Sequence, residues 1–329
     1  MRHRYQDIIG LENLLAAWEG FRLGKRDKPD VQAFARQLLD NMVHLHHDLA
    51  NLSYRHGGYQ AFAINDPKPR NIHKASVRDR LLHHAIYRVL YPFFDRTFMA
   101  DSFSCRLNKG TFKAVERFQT MCRRVSMNNT RTCWVLKCDI RKFFTNIDHE
   151  VLLQFFSRYI SDGNIIWLLK NIIESFETKP GVGLPLGNLT SQLFVNIYMN
   201  EFDQFVKHKL KCRHYIRYAD DFIFLSDDRA MLETMIAPIK DFLMIKLKLQ
   251  LHPNKVFIKT LASGVDWLGW VHFPDHRVLR TATSRRMMAR VKEHGTPETV
   301  QSYLGLLQHG NTRKLEQELL NAEWLWSGS

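Results

Sequence analysis

Cysteine and acidic residues are scarce in this chain, and long apolar runs are missing. Five cysteines, Cys105, Cys122, Cys133, Cys138 and Cys212, are spread over 329 residues. Their number is odd and no two stand in a Cys-x-x-Cys spacing. That excludes a disulfide framework and a zinc-ribbon site, and a reducing, cytoplasmic setting is expected. Each cysteine reads as a small buried apolar side chain. No apolar stretch approaches the roughly 20 residues that cross a membrane. The first residues, Met1-Arg2-His3-Arg4-Tyr5-Gln6-Asp7, lack the apolar core of a secretion signal. Internal repeats and low-complexity tracts are also absent. Asp and Glu number 33 against 47 Lys and Arg, a formal charge of +14. That imbalance favours a polyanionic partner, bound mainly through phosphates and therefore salt-sensitive. With 45% hydrophobic residues, the chain has material for a large core, which its length would divide into about two or three subdomains.

The most informative stretch is Tyr218-Ala219-Asp220-Asp221. Apolar runs flank it, Ile216 to Tyr218 before and Phe222 to Leu225 after, and both are rich in β-branched and aromatic residues. They read as the strands of a tight hairpin with the acidic pair at its turn. Adjacent carboxylates repel each other, and apolar surroundings raise the cost of ionising both. A divalent cation removes that cost. A second strand-like run, Leu136-Lys137-Cys138-Asp139-Ile140, alternates so that Asp139 leaves the face opposite Leu136, Cys138 and Ile140. One carboxylate from one strand and two from a hairpin match the needs of two-metal phosphoryl transfer.

Three segments in this order resemble the palm motifs of a reverse transcriptase. The Asp139 segment resembles motif A, Gly183-Leu184-Pro185-Leu186-Gly187-Asn188-Leu189-Thr190-Ser191-Gln192 resembles motif B, and Tyr218 to Asp221 resembles motif C. The resemblance covers most of the chain. It implies an α+β, right-hand polymerase fold with fingers, a palm of antiparallel sheet with helices packed on it, and a short helical thumb. The expected division is an N-terminal helical extension over 1–57, fingers over 58–133, palm over 134–274 with part of the fingers inserted around 150–182, and thumb over 275–329. The reaction implied is attack of a primer 3′-hydroxyl on the α-phosphate of a deoxynucleoside triphosphate. Asp139, Ile140, Asp220 and Asp221 would hold two Mg²⁺ ions.

Other segments take expected roles from the same resemblance. In the stretch Asp66-Pro67-Lys68-Pro69-Arg70-Asn71-Ile72 the prolines keep the chain extended, so Lys68 and Arg70 share a side. They match the fingers segment that grips the incoming triphosphate; the competing reading is a surface loop with two solvated cations. Phe144, five residues after Asp139, matches the steric gate that excludes a ribose 2′-hydroxyl, which leaves Phe143 for the core. Leu186, Gly187 and Gln192 line the nucleotide side of motif B. Leu251 to Phe257 resembles motif D, with Lys255 as the acid for the pyrophosphate leaving group or as a plain surface lysine. Trp267-Leu268-Gly269-Trp270 resembles the primer grip, where Gly269 permits a bend or a close approach to the primer end. Arg106 and Lys109, in a polar loop from Ser102 to Gly110, are candidates for template or nucleotide contact.

Local signals fill in the rest. Helices are expected over 8–55, with Leu11, Leu14, Leu15 and Trp18 on one stripe and a break at Gly24 to Pro29. A helix from Arg78 is expected to end at Pro92, Thr111 to cap the next helix, and Asp227 or Asp228 to cap one from Arg229 that Pro238 kinks. Tyr59 to Ile64 reads as a strand and Thr190 to Lys211 as a helix. Trp324 and Trp326 are expected in a core or an interface.

Motif B narrows the family. Most reverse transcriptases carry glutamine at the position of Leu186 and Ser-Pro where this chain has Ser191-Gln192. The Leu-Pro-Leu-Gly-x-x-x-Ser-Gln form is similar to the enzymes of diversity-generating retroelements. Those enzymes copy a template-repeat RNA into cDNA with errors at template adenines, and work with a small basic pentameric accessory protein. An intron-type enzyme would carry a maturase region beyond the thumb, whereas this chain stops at Ser329. A non-catalytic RNA-binding protein of the same fold, or a scaffold for the accessory protein alone, remains the alternative from another class.

Overall fold

The structure, a computed structural model, describes residues 3–64 and 69–327. Four helices open the chain: α1 (Tyr5–Ile9), α2 (Leu11–Arg22), α3 (Pro29–Arg36) and α4 (Leu38–Ala50). The break between α2 and α3 falls at the expected Gly24–Pro29 stretch, and Pro29 takes the first helical position, where its missing N–H costs nothing. The buried face of α2 is Leu14, Ala17, Trp18 and Phe21; Leu11 and Leu15, expected on the same stripe, are exposed. A hairpin follows, β1 (Tyr59–Ile64) and β2 (Arg70–Ala75), antiparallel with Ile64 opposite Arg70. The expected extended loop therefore becomes a paired strand from Arg70 onward, while Lys68 lies outside the described residues.

The helix α5 (Val77–Asp95) runs on past Pro92, contrary to the expected stop. Tyr91 and Phe94 are buried on either side of the proline, and their packing outweighs a lost backbone bond of about 3 kcal/mol. Helix α6 (Thr111–Val125) begins after Gly110, which has no capping side chain. Thr111 is already inside the helix and its hydroxyl donates to the Tyr218 hydroxyl instead of capping.

The central sheet has the order β4–β5–β3–β6 and is antiparallel throughout, formed by β3 (Trp134–Asp139), β4 (Tyr215–Tyr218), β5 (Asp221–Ser226) and β6 (Phe257–Thr260). Between β3 and β4 lie α7 (His149–Tyr159), α8 (Gly163–Ile173) and α9 (Leu189–His208), and after β5 comes α10 (Arg229–Leu247). Asp148, Asp162 and Asp228 cap α7, α8 and α10 with side-chain oxygens on backbone N–H groups. Pro238 lies inside α10. One core joins the N-terminal helices, α5, α9 and one face of the sheet; the other face packs on α6 through Phe118, Val135, Ile216 and Ile223. This is why β3 is buried on both faces along most of its length.

A small sheet, β7 (Val265–Trp267), β8 (Trp270–His272) and β9 (Arg277–Leu279), leads into the helices α11 (Thr281–His294), α12 (Pro297–Leu307) and α13 (Arg313–Ser327). Leu268 and Gly269, with φ of 50° and 88°, form the β7–β8 turn, so Gly269 makes the expected bend. The tail helices break at Gly295–Thr296 and Gly310–Thr312 as their composition indicates. The side chains of Trp324 and Trp326 lie outside the described residues.

Candidate active site

The site is built on the central strands. In the β3–β5 register Asp139 stands directly opposite Asp221, so both carboxylates leave the same face. Tyr218 pairs with Asp221 across the β4–β5 hairpin, which leaves Ala219 and Asp220 as a two-residue turn. Ala219 takes a φ of 56°, a left-handed conformation that costs a residue with a Cβ about 1 kcal/mol or more. The Asp220 carbonyl accepts from the Ile140 N–H at 3.1 Å, which brings the hairpin turn onto the end of β3. In extended chain the N–H and C=O of one residue point to the same side. The Ile140 carbonyl thus turns towards the acidic turn, while its neighbours Asp139 and Arg141 bond on the other side, to His252 and Gln250.

The charges gathered here are unbalanced. Lys255 donates to both oxygens of Asp139, at 2.9 and 3.0 Å. Lys137 Nζ lies 3.3 Å from Asp221 Oδ2. The second oxygen of Asp221, Oδ1, is buried and has no hydrogen-bond partner among the described residues. Burial, and then the charge of Asp139, hold the Asp220 carboxyl above the usual range, with Lys255 and Arg70 pulling the other way. Burial pushes Asp221 up to about 7, against the pull of Lys137 and with the help of Asp139 and Asp220. Carboxylates that are costly to ionise, next to an orphaned oxygen, define a place for a cation.

That donor set fits magnesium. Among the described residues no group of three or more His, Cys, Asp or Glu side chains is placed to hold a metal ion by itself, so water and substrate oxygens would have to supply part of the shell. Mg²⁺ takes one or two carboxylates and completes its octahedron with water and substrate phosphate oxygens. Asp139, Asp220, the free oxygen of Asp221 and the Ile140 carbonyl are the groups that would hold it. Lys255 sits beside Asp139, and its ammonium offsets the charge of that carboxylate.

Motif B is tied to the segment after β3 on one side and to β2 on the other. Leu184 N–H donates to the Phe144 carbonyl, and Gly183 N–H to that of Ile147, each at 2.8 Å. On its other side His73 N–H of β2 donates to the Leu186 carbonyl at 3.0 Å, and Asn188 Nδ2 donates to the His73 carbonyl at 2.9 Å. Gly187 has a φ of 102°, and a Cβ there would stand 2.6 Å from Ile72 Cγ2. Only glycine permits both the angle and the approach. Phe144, Leu186 and the strand carrying Arg70 therefore form one surface. Phe143 is buried and Phe144 half-buried. Gln192 sits in the first turn of α9, half-buried, with its N–H on the Asn188 carbonyl.

The Ser102–Gly110 loop is a different case. The Arg106 side chain is only 6% exposed, and its guanidinium is taken by Asp95 and by the carbonyls of Met99 and Ser102. It pins the loop and has little left for template. Lys109 donates to the Ala100 carbonyl and lies over Phe103. Both side chains tie the loop to the segment before it, Arg106 through Asp95 and Met99 and Lys109 through Ala100.

Sequence reasoning missed the support behind the turn. Arg217 of β4 is fully buried and pairs with Asp203 of α9 at 2.6 Å. It also donates to Ser102 Oγ, to Asn196 Oδ1 and, at 3.2 Å, to the carbonyl of Ala219. Tyr215 completes the cluster on Asp203. The signal was available: a lone cation inside the apolar run Tyr215 to Tyr218. Lys137, two residues before Asp139 on the same strand face, was legible by the same alternation.

Residues 65–272 match the family described as reverse transcriptase (RNA-dependent DNA polymerase). The chain belongs to the reverse transcriptase family. Among curated relatives of this reverse transcriptase are Protein YkfC of Escherichia coli, 25% identical over 62% of this chain and 62% of its own length, and the group II intron-encoded protein LtrA of Lactococcus lactis, 23% identical over 68% of this chain and 47% of its own. The chain spans less than two thirds of the length of either. Two solved structures share the fold at low identity. Telomerase from Candida albicans has a TM-score of 0.51 and 11% identity, covering 79% of this chain and 54% of that one. Apo telomerase from Candida tropicalis has 0.50 and 13%, covering 74% and 60%. Right-hand architecture is thus established for the reverse transcriptase, and no helix among its described residues is long and apolar enough to cross a membrane.

Proposed function

We propose that this chain is an RNA-directed DNA polymerase whose centre is Asp139, Asp220 and Asp221. The observation that carries this reading is the pairing of Asp139 with Asp221 across β3 and β5, with one buried oxygen of Asp221 left without a hydrogen-bond partner among the described residues. Two Mg²⁺ ions, when bound, lower the pKa of the primer hydroxyl and stabilise charge on the phosphates. The protein's own residues position the reactants. Asp139 and Asp220 fix where the primer terminus and α-phosphate meet, and Arg70 brings positive charge from β2 to the triphosphate. Phe144 and Leu186 close the sugar and base side, and Lys255 is near enough to Asp139 to be released towards the leaving pyrophosphate. The proposed domains are a helical extension over 1–57, fingers over 58–133, palm over 134–274 and thumb from 275, although the small sheet carries on to β9 across the last of these divisions. Primer extension on an RNA template with Mg²⁺ tests this reading: wild type should incorporate deoxynucleotides and Asp220→Ala should not. Equal incorporation by both, or none by wild type, would end it.

Within the family, the motif B sequence supports an enzyme of a diversity-generating retroelement. Its template would be a template-repeat RNA, its product cDNA for mutagenic retrohoming, and its partner a small basic pentameric accessory protein. Leu186 replaces an amide with an aliphatic side chain beside the nascent pair. Lost polar contacts reduce discrimination by about 1–3 kcal/mol each. Leu186→Gln should lower misincorporation opposite template adenine about tenfold; an unchanged adenine error rate removes the subfamily argument. A second reading, an intron-type enzyme, draws on the likeness to LtrA. It requires high fidelity at adenines from the wild-type chain.

A further inference from the structure

Lys137 lies in the Asp139 segment but has no role in the chemistry described so far. Its side chain is only 12% exposed and lies on the face of β3 that carries Asp139. The register places Lys137 opposite Ile223 and Asp139 opposite Asp221, so Lys137 and Asp221 are diagonal neighbours on one face of the sheet. Its ammonium has two partners from different parts of the molecule. One is Asp221 Oδ2 at 3.3 Å, and the other is the backbone carbonyl of Asp266 in β7 at 2.8 Å. Asp266 in turn pairs through its carboxylate with Arg280, the residue just before α11. Lys137 thus stands between the acidic turn and the sheet that leads to the C-terminal helices.

We propose that Lys137 is a positioning residue, which takes Oδ2 of Asp221 and thereby leaves Oδ1 as the oxygen offered to a cation. This rests on the polymerase reading and deepens it. A buried carboxylate can satisfy its charge with whichever cation is near. Without Lys137, Asp221 is free to rotate and its second oxygen competes for the same ion. The Asp266 carbonyl fixes the ammonium from the far side, so the orientation of Asp221 is set by the β7 strand. A flexible cation tied at one end only would not fix it.

The test is a double-mutant cycle. In urea denaturation without metal at pH 8, Lys137→Met should lower the folding equilibrium constant about tenfold in the wild-type background and less than about threefold when Asp221→Asn is already present. The same loss in both backgrounds overturns the pairing. In primer extension, Lys137→Met should raise the Mg²⁺ concentration for half-maximal incorporation about fivefold or more while the deoxynucleotide KM stays within about twofold, and Lys137→Arg should restore it. A reduced kcat with an unmoved Mg²⁺ requirement overturns the positioning role. If wild type incorporates nothing, the polymerase reading fails, and the denaturation cycle still decides whether Lys137 serves Asp221.

Discussion

The β4–β5 hairpin has two sides, and they handle buried charge in opposite ways. Behind the turn, Arg217 and Asp203 are sealed from water with Tyr215, Ser102, Asn196 and the Ala219 carbonyl around them. The Arg217–Asp203 charges there are paired, and the ion pair is bound into the fold. In front, Asp139, Asp220 and Asp221 face two lysines, with two carboxyls held above their usual range and one buried oxygen unpartnered. A protein that had only to be stable would treat both sides alike. The deficit on one side marks where a ligand completes the structure.

That contrast can be broken most sharply at Asp220. Asp220→Ala should lower incorporation about 10⁴-fold or more, over 5 kcal/mol in the barrier. Metal-free folding stability should stay level or rise, because a repelled carboxylate is removed. A loss of stability comparable with that of a core mutant would show that the front side is structural after all. Behind the turn the opposite is expected. Arg217→Met leaves Asp203 buried without its counter-charge and should cost about 3–5 kcal/mol in urea denaturation. A cost under about 1 kcal/mol would mean that the two sides do not differ. Next is Gly187→Ala, where the left-handed angle and the contact with Ile72 should cost about 1–3 kcal/mol and raise the deoxynucleotide KM. An unchanged KM would separate motif B from the nucleotide.

The smallest effect concerns buried groups away from the hairpin. His272 is held neutral by burial, its pKa lowered to about 4, with the Trp267 carbonyl and Asp266 opposing and Arg277 and Lys137 adding to the shift. His83 is lowered as well, by burial and by His56, His84 and Arg80. In the unfolded chain both bind a proton near pH 6.5. Stability is therefore full above that pH and falls as the pH drops towards 4, because only the unfolded state gains the proton. Between pH 7 and 5 each histidine should contribute a loss of about 1–2 kcal/mol, and His272→Gln should remove its own share. A flat profile would exclude these histidines as its source.

Much of this was legible in the amino-acid order. Asp139, Asp220 and Asp221 were picked out by strand alternation and by an acidic pair between apolar runs, and the structure sets Asp139 opposite Asp221 on one face with Asp220 in the adjoining turn. The strand at 59–64, the helix of motif B and the breaks in the tail helices follow from periodicity and from Gly and Pro. Pro92 and Thr111 were misread because local rules compete there with packing: Tyr91 and Phe94 hold α5 together, and Tyr218 takes the Thr111 hydroxyl. Arg106 looked like a free cation in a basic loop, and Asp95, eleven residues earlier, claims it.

The sequence by itself determined which residue types recur at strand and helix spacing, and hence the motifs, the net charge and the family. Only the tertiary structure decided partners. Lys137 meets Asp266 across 129 residues, Lys255 meets Asp139 across 116, and Arg217 meets Ser102 across 115. Periodicity fixes the face from which a side chain leaves its own strand or helix. Which distant charge it then meets depends on how the strands are ordered and how the helices pack, and charges are strongly coupled only within a few ångströms.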